Sequence, residues 1–484
     1  MKKKILFIII ILAVILTSFY FFMGRPESEK ETLLFEKDDI SKNSPFGMLP
    51  FFSFKEPIGE KSPAPDQFDF GPTKDLGLKW GRAHYLIWPV VQPTKREVDQ
   101  GVFDWSESDG ILTAYPADVE NIQNLVAFPA RKNEMGEYVE NFSFPNQEAE
   151  EAYKKFVQKA AERYDGDGND DAPGLKSPVK YWQIDNEPDL KTNDWAGYSK
   201  LLNLSYEGIK SACPDCKVLI GGLGGETKGL MTFFTPAIEK SGGRYFDIFD
   251  YHCYGNKREW KKCGDLAGEI KRTFPDVEIW MSETGTWSGA PSYPPDPPPD
   301  SEQSEKDQSA ALVKYHIYPF SQGVKKVFWA WGIIEGFGGP ENNIFDNTGL
   351  IYDGLGPKDL GRGVKKLSYY TYRNLIKELE GADLDNVETL KEGGLYAYKF
   401  DRAYGEDKGR PVWILWNEES SGKNIVINEL AGKDIRITES VPKYATGKEA
   451  NKEDLFAGTG LRVSTDGRID VPSGGVPIFV EISE

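Results

Sequence analysis

The chain has 484 residues, 39% hydrophobic and 28% charged, which supplies a large buried core and excludes a disordered or fibrous protein. The net charge of −18 comes without a basic stripe, so nucleic acid is not an expected partner, and the acidic surface fits a neutral ligand better than an anionic one. The length predicts one large domain with a smaller one beside it.

The N-terminus, residues 1–25, predicts a segment that exports the chain. Three lysines, Lys2 to Lys4, precede an apolar run from Ile5 to Met23. This run approaches the about 18–20 residues that span a bilayer, and the lysines orient the N-terminus toward the cytoplasm. Because no Ala-x-Ala-like cleavage site follows, an uncleaved signal anchor is favoured over a cleaved signal peptide. Residues 26–44 then form a polar tether, and the remainder is expected to be extracellular or at the cell surface.

Short apolar runs alternate with helix-like segments over residues 45–381, which predicts a (β/α)₈ barrel. An open doubly wound sheet is the alternative, but its usual G-x-G-x-x-G opening is absent, and the glycine run 221–225 has the wrong spacing. The predicted strands are 46–52, 79–85, 121–128, 179–186, 217–223, 246–254, 277–283 and 326–331; the clearest amphipathic helices are 148–163, 195–212, 309–321 and 368–379.

Residues 382–484 show a different pattern and predict a small antiparallel β-sandwich. Apolar strands at 395–400, 412–416, 425–427, 435–437 and 478–482 are separated by turn-rich stretches, and no helix is evident. Such a domain either binds sugar or braces the barrel, and bracing is the favoured interpretation.

Two loops and four cysteines complete the organisation. The proline-rich excursion within 286–307 is expected to wall one end of the barrel, with a plain surface loop as the alternative. The acidic loop 165–171 begins like a calcium loop but lacks the glutamate expected at position 12, so a solvated turn is favoured. An even cysteine count in an exported chain predicts disulfides Cys213–Cys216 and Cys253–Cys263. A four-cysteine zinc site is disfavoured, because only one C-x-x-C is present.

Functional groups of such barrels gather at the C-terminal ends of the strands. Alternation along the seventh predicted strand places Ile279, Met281 and Glu283 on one face, which predicts that Glu283 points into the barrel. Asp250, His252 and Tyr254 share a face in the same way. The polar and aromatic residues at the strand ends are Arg82, His84, Asn186, Glu187, His252, Tyr254, Glu283, Trp329 and Trp331.

A pair of carboxyl groups at one barrel mouth suits glycosidic bond cleavage, since one protonates the leaving oxygen and the other attacks or stabilises the sugar cation. Asn186-Glu187-Pro188 on the fourth strand, with Glu283 in Ser-Glu-Thr-Gly on the seventh, resembles the clan A glycoside hydrolases over residues 45–380. That resemblance implies a retaining enzyme with the acid/base on the fourth strand and the nucleophile on the seventh. The third strand departs from the pattern, because it ends in Ala127-Phe128 where many members carry a histidine.

The resemblance implies a role for each group. Glu187 is the expected general acid and then base, with a pKa raised by apolar surroundings or by the other carboxylate. Glu283 is the expected ionised nucleophile, and Arg82 and Tyr254 stabilise its charge. Asn186 is expected to bond the sugar 2-hydroxyl, while Trp329 or Trp331 forms the floor. His84 and His252 are each either substrate ligands or structural residues.

Several alternatives remain for individual residues. Asp185 and Asp189 compete for the acid role, although Asp185 is expected to turn away from the barrel interior. His316 falls in a helical stretch and is expected to be structural. A zinc site built on His84 and His252 is disfavoured, because no H-x-x-x-H spacing supports it.

The sequence thus predicts a retaining β-glycosidase that acts on a β-linked oligo- or polysaccharide, with no cofactor and no metal. The predicted carboxyl separation is about 5–5.5 Å, as in retaining enzymes, rather than about 6.5–9.5 Å as in inverting ones. The alternatives are a catalytically silent carbohydrate-binding surface protein and a transglycosylase that uses the same residues. The oligomeric state is not predicted.

Overall fold

The structure, a computed structural model, describes residues 42–54, 67–129, 131–132, 138–139, 141–291, 302–336, 343–355, 358–404, 407–450 and 452–483. The predicted anchor 1–25, nearly all of the tether and the most proline-rich part of loop 286–307 lie outside these residues. No helix in the described part of the chain has the length and apolar character needed to cross a bilayer.

Eight parallel strands close into a barrel in which each strand pairs with its neighbours in sequence and the last pairs with the first. All eight predicted strands are confirmed, and the closed order excludes the open doubly wound sheet. The strands are β1 Phe46–Leu49, β2 Trp80–Ile87, β3 Glu120–Val126, β4 Tyr181–Ile184, β5 Lys217–Leu219, β6 Ile248–Tyr254, β7 Glu278–Gly285 and β8 Val324–Ala330.

Helices connect the strands, and polar caps mark where the longer ones begin. Asn146 accepts a hydrogen bond from the Ala149 amide, and Ser304 forms a capping box with Asp307. The four predicted amphipathic helices are confirmed to within a few residues. The helices are α1 Gly71–Leu76, α2 Trp88–Val91, α3 Lys95–Gln100, α4 Ser106–Leu112, α5 Gln147–Tyr164, α6 Pro188–Lys191, α7 Trp195–Ala212, α8 Glu226–Gly229, α9 Thr235–Ser241, α10 Trp260–Thr273, α11 Glu305–Ser321 and α12 Leu367–Leu379, with a π-helical turn, Leu230–Phe234, between α8 and α9.

An aromatic layer fills the N-terminal half of the barrel. The Trp80 ring lies 4.8 Å from Tyr181 and 5.1 Å from Trp280, each edge to face, and Phe328 completes the layer. Beneath it, the buried ammonium of Lys326 lies 4.0 Å from the Trp80 ring centre and donates hydrogen bonds to backbone carbonyls at the entry to β1. The polar strand ends therefore stand on a filled, rigid base.

The C-terminal domain is antiparallel, as predicted. A six-stranded sheet contains, in spatial order, β9 Glu388–Glu392, β10 Leu395–Phe400, β11 Val412–Asn417, β16 Ile478–Ile482, β13 Asp434–Glu439 and β14 Gly458–Arg462. A separate ribbon pairs β12 Lys423–Val426 with β15 Arg468–Val471. The strands absent from the sequence prediction are β9, β14 and β15, which are polar and lie at sheet edges or in the ribbon.

This sheet packs on the barrel through one face. Ile414, Trp416 and Phe479 belong to the main core, whereas the alternate residues Leu415 and Val480 belong to a separate core with the ribbon. The buried carboxylate of Glu305 on α11 also accepts hydrogen bonds from the amides of Leu367 and Gly447, at 2.7 and 2.8 Å. The domain is therefore placed to brace the barrel.

The cysteine prediction is confirmed, since Cys213 bonds to Cys216 and Cys253 to Cys263. In the acidic loop 165–171 the Asp171 carboxylate accepts from the amides of Gly166 and Gly168. Burial raises the pKa of Asp165 to about 7. The carboxylates of Asp165 and Asp171 thus accept hydrogen bonds from backbone amides of their own turn.

Removing each disulfide tests how the loops contribute to stability. The Cys253–Cys263 bond closes the longer loop, with a sequence separation of 10 against 3 for Cys213–Cys216. Replacing both cysteines of the longer loop by alanine is expected to lower the free energy of unfolding by about 3 kcal/mol, and the same change at the shorter one by about 2 kcal/mol. Urea unfolding measures both; all four cysteines are buried, so the second variant is a matched control. A larger loss at Cys213–Cys216 contradicts the loop argument.

Candidate active site

Glu283, at the end of β7, is held by two donors. Arg82 on β2 donates from Nη1 to Glu283 Oε1, and the Tyr254 hydroxyl on β6 donates to Oε2 at 2.7 Å. The Arg82 and Glu283 side chains are only 2% and 3% exposed. The ion pair with Arg82 and the hydrogen bond from Tyr254 therefore satisfy both oxygens of this buried carboxylate and fix its orientation.

Glu283 points into the barrel for a different reason from the predicted one. Trp280 faces the interior, whereas Ile279 and Met281 pack toward the helices, so simple alternation is wrong here. Tyr251 pairs with Met281 and His252 with Glu283, which leaves Ser282 as an extra residue in β7. This β-bulge shifts the alternation and re-aims Glu283. On β6 the alternation is regular, and His252 and Tyr254 reach the site as predicted.

The turn after β4 presents two consecutive residues to the same mouth. Asp185 and Glu187 both adopt left-handed backbone conformations, with φ of 67° and 48°. Each costs roughly 1–3 kcal/mol for a residue with a Cβ. As a result Asn186 Oδ1 accepts from Arg82 Nη2 at 2.6 Å, while Glu187 meets His252. Asp185 turns away, as expected, and lies 3.5 Å from Lys191.

His252 joins the two glutamates. Its Nδ1 lies 2.7 Å from Glu187 Oε1 and 3.6 Å from Glu283 Oε2. Its Nε2 lies 3.1 Å from Ser282 Oγ, whose own proton goes to Asp250 at 2.6 Å, so Nε2 must be the donor in that contact. Burial lowers the pKa of His252, but Glu283, Asp250 and Glu187 outweigh burial and raise it to about 10.

The expected rise in the Glu187 pKa is therefore wrong. Burial does raise it, but the hydrogen bond and charge of His252, together with Lys191 and Arg82, lower the pKa of Glu187 overall. The lowered pKa of Glu187 and the raised pKa of His252 place the proton of this hydrogen-bonded pair on His252.

The two carboxylates are close together. One oxygen of Glu187, one oxygen of Glu283 and a nitrogen of His252 all lie within 4.8 Å of one another. Such a close approach of two oxygens agrees with the shorter of the two carboxyl separations known for glycosidic cleavage. The three groups are near enough to bind a metal ion, but the guanidinium of Arg82 and the proton on His252 already balance both carboxylates.

A polar layer beneath the carboxylates was missed by the sequence analysis. Gln183 Oε1 accepts from Arg82 Nε at 2.7 Å and from Asn124 Nδ2 at 3.0 Å, and Gln183 Nε2 donates to Asp250 at 2.5 Å. The signal was present as Gln183 and Asp250, polar residues inside apolar strands. This layer fixes the orientations of Arg82 and His252.

The glycine run 221–225 also belongs to the site. A side chain at Gly222 would place its Cβ 2.1 Å from His252 Nε2, and one at Gly224 would lie 3.0 Å from Glu187 Cγ. These glycines leave room for the His252 ring and the Glu187 side chain. The spacing of the glycines in 221–225 does not suit phosphate binding, but it does suit close packing against His252 and Glu187.

The two predicted tryptophans, Trp329 and Trp331, lie in different surroundings. Trp329 is fully buried, stacks against His316 of α11 at 14° and donates to the Thr348 carbonyl. The structure does not bring it to the mouth, because Phe328 takes the inward position on β8. Trp331 is half-buried just past the strand end.

His84 lies on β2, but its side chain is outside the described part of the structure. His316 is buried against Trp329, and burial lowers its pKa to about 4.

Three further residues at the mouth were not predicted. Tyr85 follows an irregularity in β2, and burial with the nearby Glu283 and Glu187 charges raises its pKa to about 12. Lys191 of α6 is close enough for its charge to act on both Tyr85 and Glu187. Phe345 meets the Tyr254 ring edge to face at 5.1 Å. All three lie in or beside irregular backbone, where strand alternation gives no guide.

Comparison with known proteins bears on the fold. No protein-family model and no curated protein sequence matches the chain. Solved structures do: a glucosidase from Croceicoccus marinus (TM-score 0.55, 14% identity, 91% of this chain and 97% of that one), a family 51 α-L-arabinofuranosidase from Bifidobacterium longum (0.51, 14%, 91% and 95%) and a GH39 β-xylosidase from Caulobacter crescentus (0.50, 16%, 85% and 90%). At these identities the likeness concerns the fold alone, and it agrees with the predicted (β/α)₈ barrel.

Proposed function

We propose that the protein is a retaining β-glycosidase that hydrolyses a β-linked oligo- or polysaccharide, with Glu187 as acid/base and Glu283 as nucleophile. The observation that carries this proposal is the approach of the two carboxylates within 4.8 Å at the C-terminal end of one barrel. Double displacement needs such a short gap, since an inverting enzyme must fit a water molecule between carboxylate and sugar.

In the first step Glu283 attacks the anomeric carbon while Glu187, having taken the shared proton from His252, gives it to the leaving oxygen. The carbon–oxygen bond breaks as the glycosyl–enzyme ester forms. In the second step Glu187 removes a proton from water, which attacks the anomeric carbon and releases Glu283. Asn186 bonds the sugar 2-hydroxyl and Trp331 forms the floor beneath the ring.

The substrate is proposed to lie outside the cytoplasmic membrane, because the N-terminal run 1–25 has the sequence pattern of an export segment. The structural neighbours are a glucosidase, an arabinofuranosidase and a xylosidase, three different sugars on one fold. The fold therefore does not select the sugar. A screen of aryl β-glycosides and polysaccharides, on the protein lacking residues 1–25, identifies it.

A histidine spectrum tests the shared proton without any substrate. The chain has three histidines. At pH 8 the imidazole of His252, with a pKa of about 10, is expected to be protonated on both nitrogens, and that of His316, with a pKa of about 4, to be neutral. Two-bond ¹H–¹⁵N NMR distinguishes these forms, and His252→Asn assigns the signal. A neutral His252 at pH 8 contradicts the proton-sharing pair.

Removing the nucleophile gives the most direct test of Glu283. Glu283→Ala is expected to lower kcat by at least about 1,000-fold, because no ester forms. Added azide fits the vacated space and should restore turnover with formation of the α-glycosyl azide. Glu278→Ala, at the opposite end of β7, is the matched control and should keep normal activity. Near-normal turnover in Glu283→Ala without azide refutes the assignment.

Removing the acid has a different signature. Glu187→Ala is expected to reduce kcat/KM by about 100-fold or more for phenyl glycosides, but far less for 2,4-dinitrophenyl glycosides, whose leaving groups need no proton. Analysis of products with and without an added sugar acceptor separates hydrolysis from transglycosylation. If the wild-type protein binds glycans but cleaves none of the panel, the silent binding protein is the correct interpretation.

A further inference from the structure

The backbone at Glu187 is not held by its own strand. β4 ends at Ile184, and Glu187 adopts a left-handed conformation with φ of 48° just before the short helix α6. A residue with a Cβ keeps such a conformation only where its surroundings enforce it. On the N-terminal side, Asp185 Oδ1 accepts from the Asn186 amide at 2.6 Å, and the Asp185 carbonyl accepts from Asn124 at 3.1 Å.

On the C-terminal side the Glu187 carbonyl accepts a hydrogen bond from the Leu190 amide at 3.1 Å, and Asp189 adds a second restraint. Its Oδ1 accepts from the Gly224 amide at 3.1 Å, and its Oδ2 accepts from the Gly225 amide at 2.7 Å. Burial raises the pKa of Asp189 overall, although the two consecutive amides that donate to its carboxylate lower it. The space around this carboxylate is closed, because a Cβ at Gly225 or Gly229 would lie 2.5 or 2.0 Å from Asp189 Oδ2.

These bonds join the Glu187 turn to the glycine loop that packs against its side chain. A Cβ at Gly224 would lie 3.0 Å from Glu187 Cγ and 2.7 Å from Leu190 Cδ1, so the Gly224 backbone is the wall on which Glu187 rests. Asp189 thus fixes both the turn that carries the carboxyl group and the wall that limits its movement.

We propose that Asp189 is the positioning residue for the general acid: by clamping the amides of Gly224 and Gly225, it holds the Glu187 carboxyl at the height of the leaving oxygen. This inference rests on the proposed glycosidase function. It gives Asp189 a role separate from the acid role considered from the sequence, since its carboxylate is occupied by backbone amides.

The test is Asp189→Asn, which replaces one acceptor oxygen by an amide group that faces a backbone N–H. A displacement of the acid by about 1 Å is expected to lower kcat/KM for phenyl glycosides by about 10–100-fold. The 2,4-dinitrophenyl glycosides, which need no acid, should change less than about 3-fold. Gly224→Ala, which presses on Glu187 from the wall side, should show the same split even if Asp189→Asn folds poorly.

Asp194→Asn is the matched control. Asp194 lies in the same β4–β5 connection and accepts from one backbone amide, that of Gly197 at 2.9 Å, at the start of α7. Asp194→Asn should lower kcat/KM by the same factor for phenyl and 2,4-dinitrophenyl glycosides, or leave both values unchanged. Equal losses on the two substrates in Asp189→Asn and Gly224→Ala overturn the proposal. If the losses are equal but the wild type cleaves glycosides and Glu187→Ala shows the leaving-group split, the proposed function still stands. If the wild type cleaves nothing, the proposed function fails, and the inference about Asp189 loses its basis.

Discussion

The site depends on compensating two carboxylates that lie within 4.8 Å of each other in a largely buried mouth. At an effective dielectric constant near 20, two such charges repel by about 3 kcal/mol. Arg82 and the proton on His252 supply the balancing charges. The two carboxylates have different surroundings, because Arg82 and Tyr254 donate hydrogen bonds to Glu283 whereas His252 contacts Glu187.

That balance requires a rigid frame, since Arg82, His252 and Glu283 lie on three different strands and Glu187 lies in the turn after a fourth. The polar layer of Gln183 and Asp250 fixes their mutual orientations from below. Beneath it, the aromatic layer and Lys326 fill the barrel. The C-terminal sheet packs its apolar face on the outer helices and braces them.

Asn186, Glu187 and Glu283 reach the mouth by departures from regular strand geometry, whereas His252 and Tyr254 follow the regular alternation of β6. A bulge at Ser282 re-aims Glu283, and two left-handed residues let Asn186 and Glu187 face the same space. Local strain of this kind persists only where packing enforces it. The glycine run 221–225 and Asp189 supply part of that packing, which explains why a glycine-rich segment lies beside Glu187.

The sequence by itself determined the eight strands, the main helices, the β-domain and the disulfides, because hydrophobic periodicity and cysteine number are local properties. It also placed Glu187 and Glu283 at strand ends. Only the tertiary structure decided which way side chains point past a bulge, that Trp329 packs outward on His316, and that the Glu187 pKa falls rather than rises. Those outcomes depend on partners distant in sequence, above all His252, whose charge acts through a contact that no local pattern encodes.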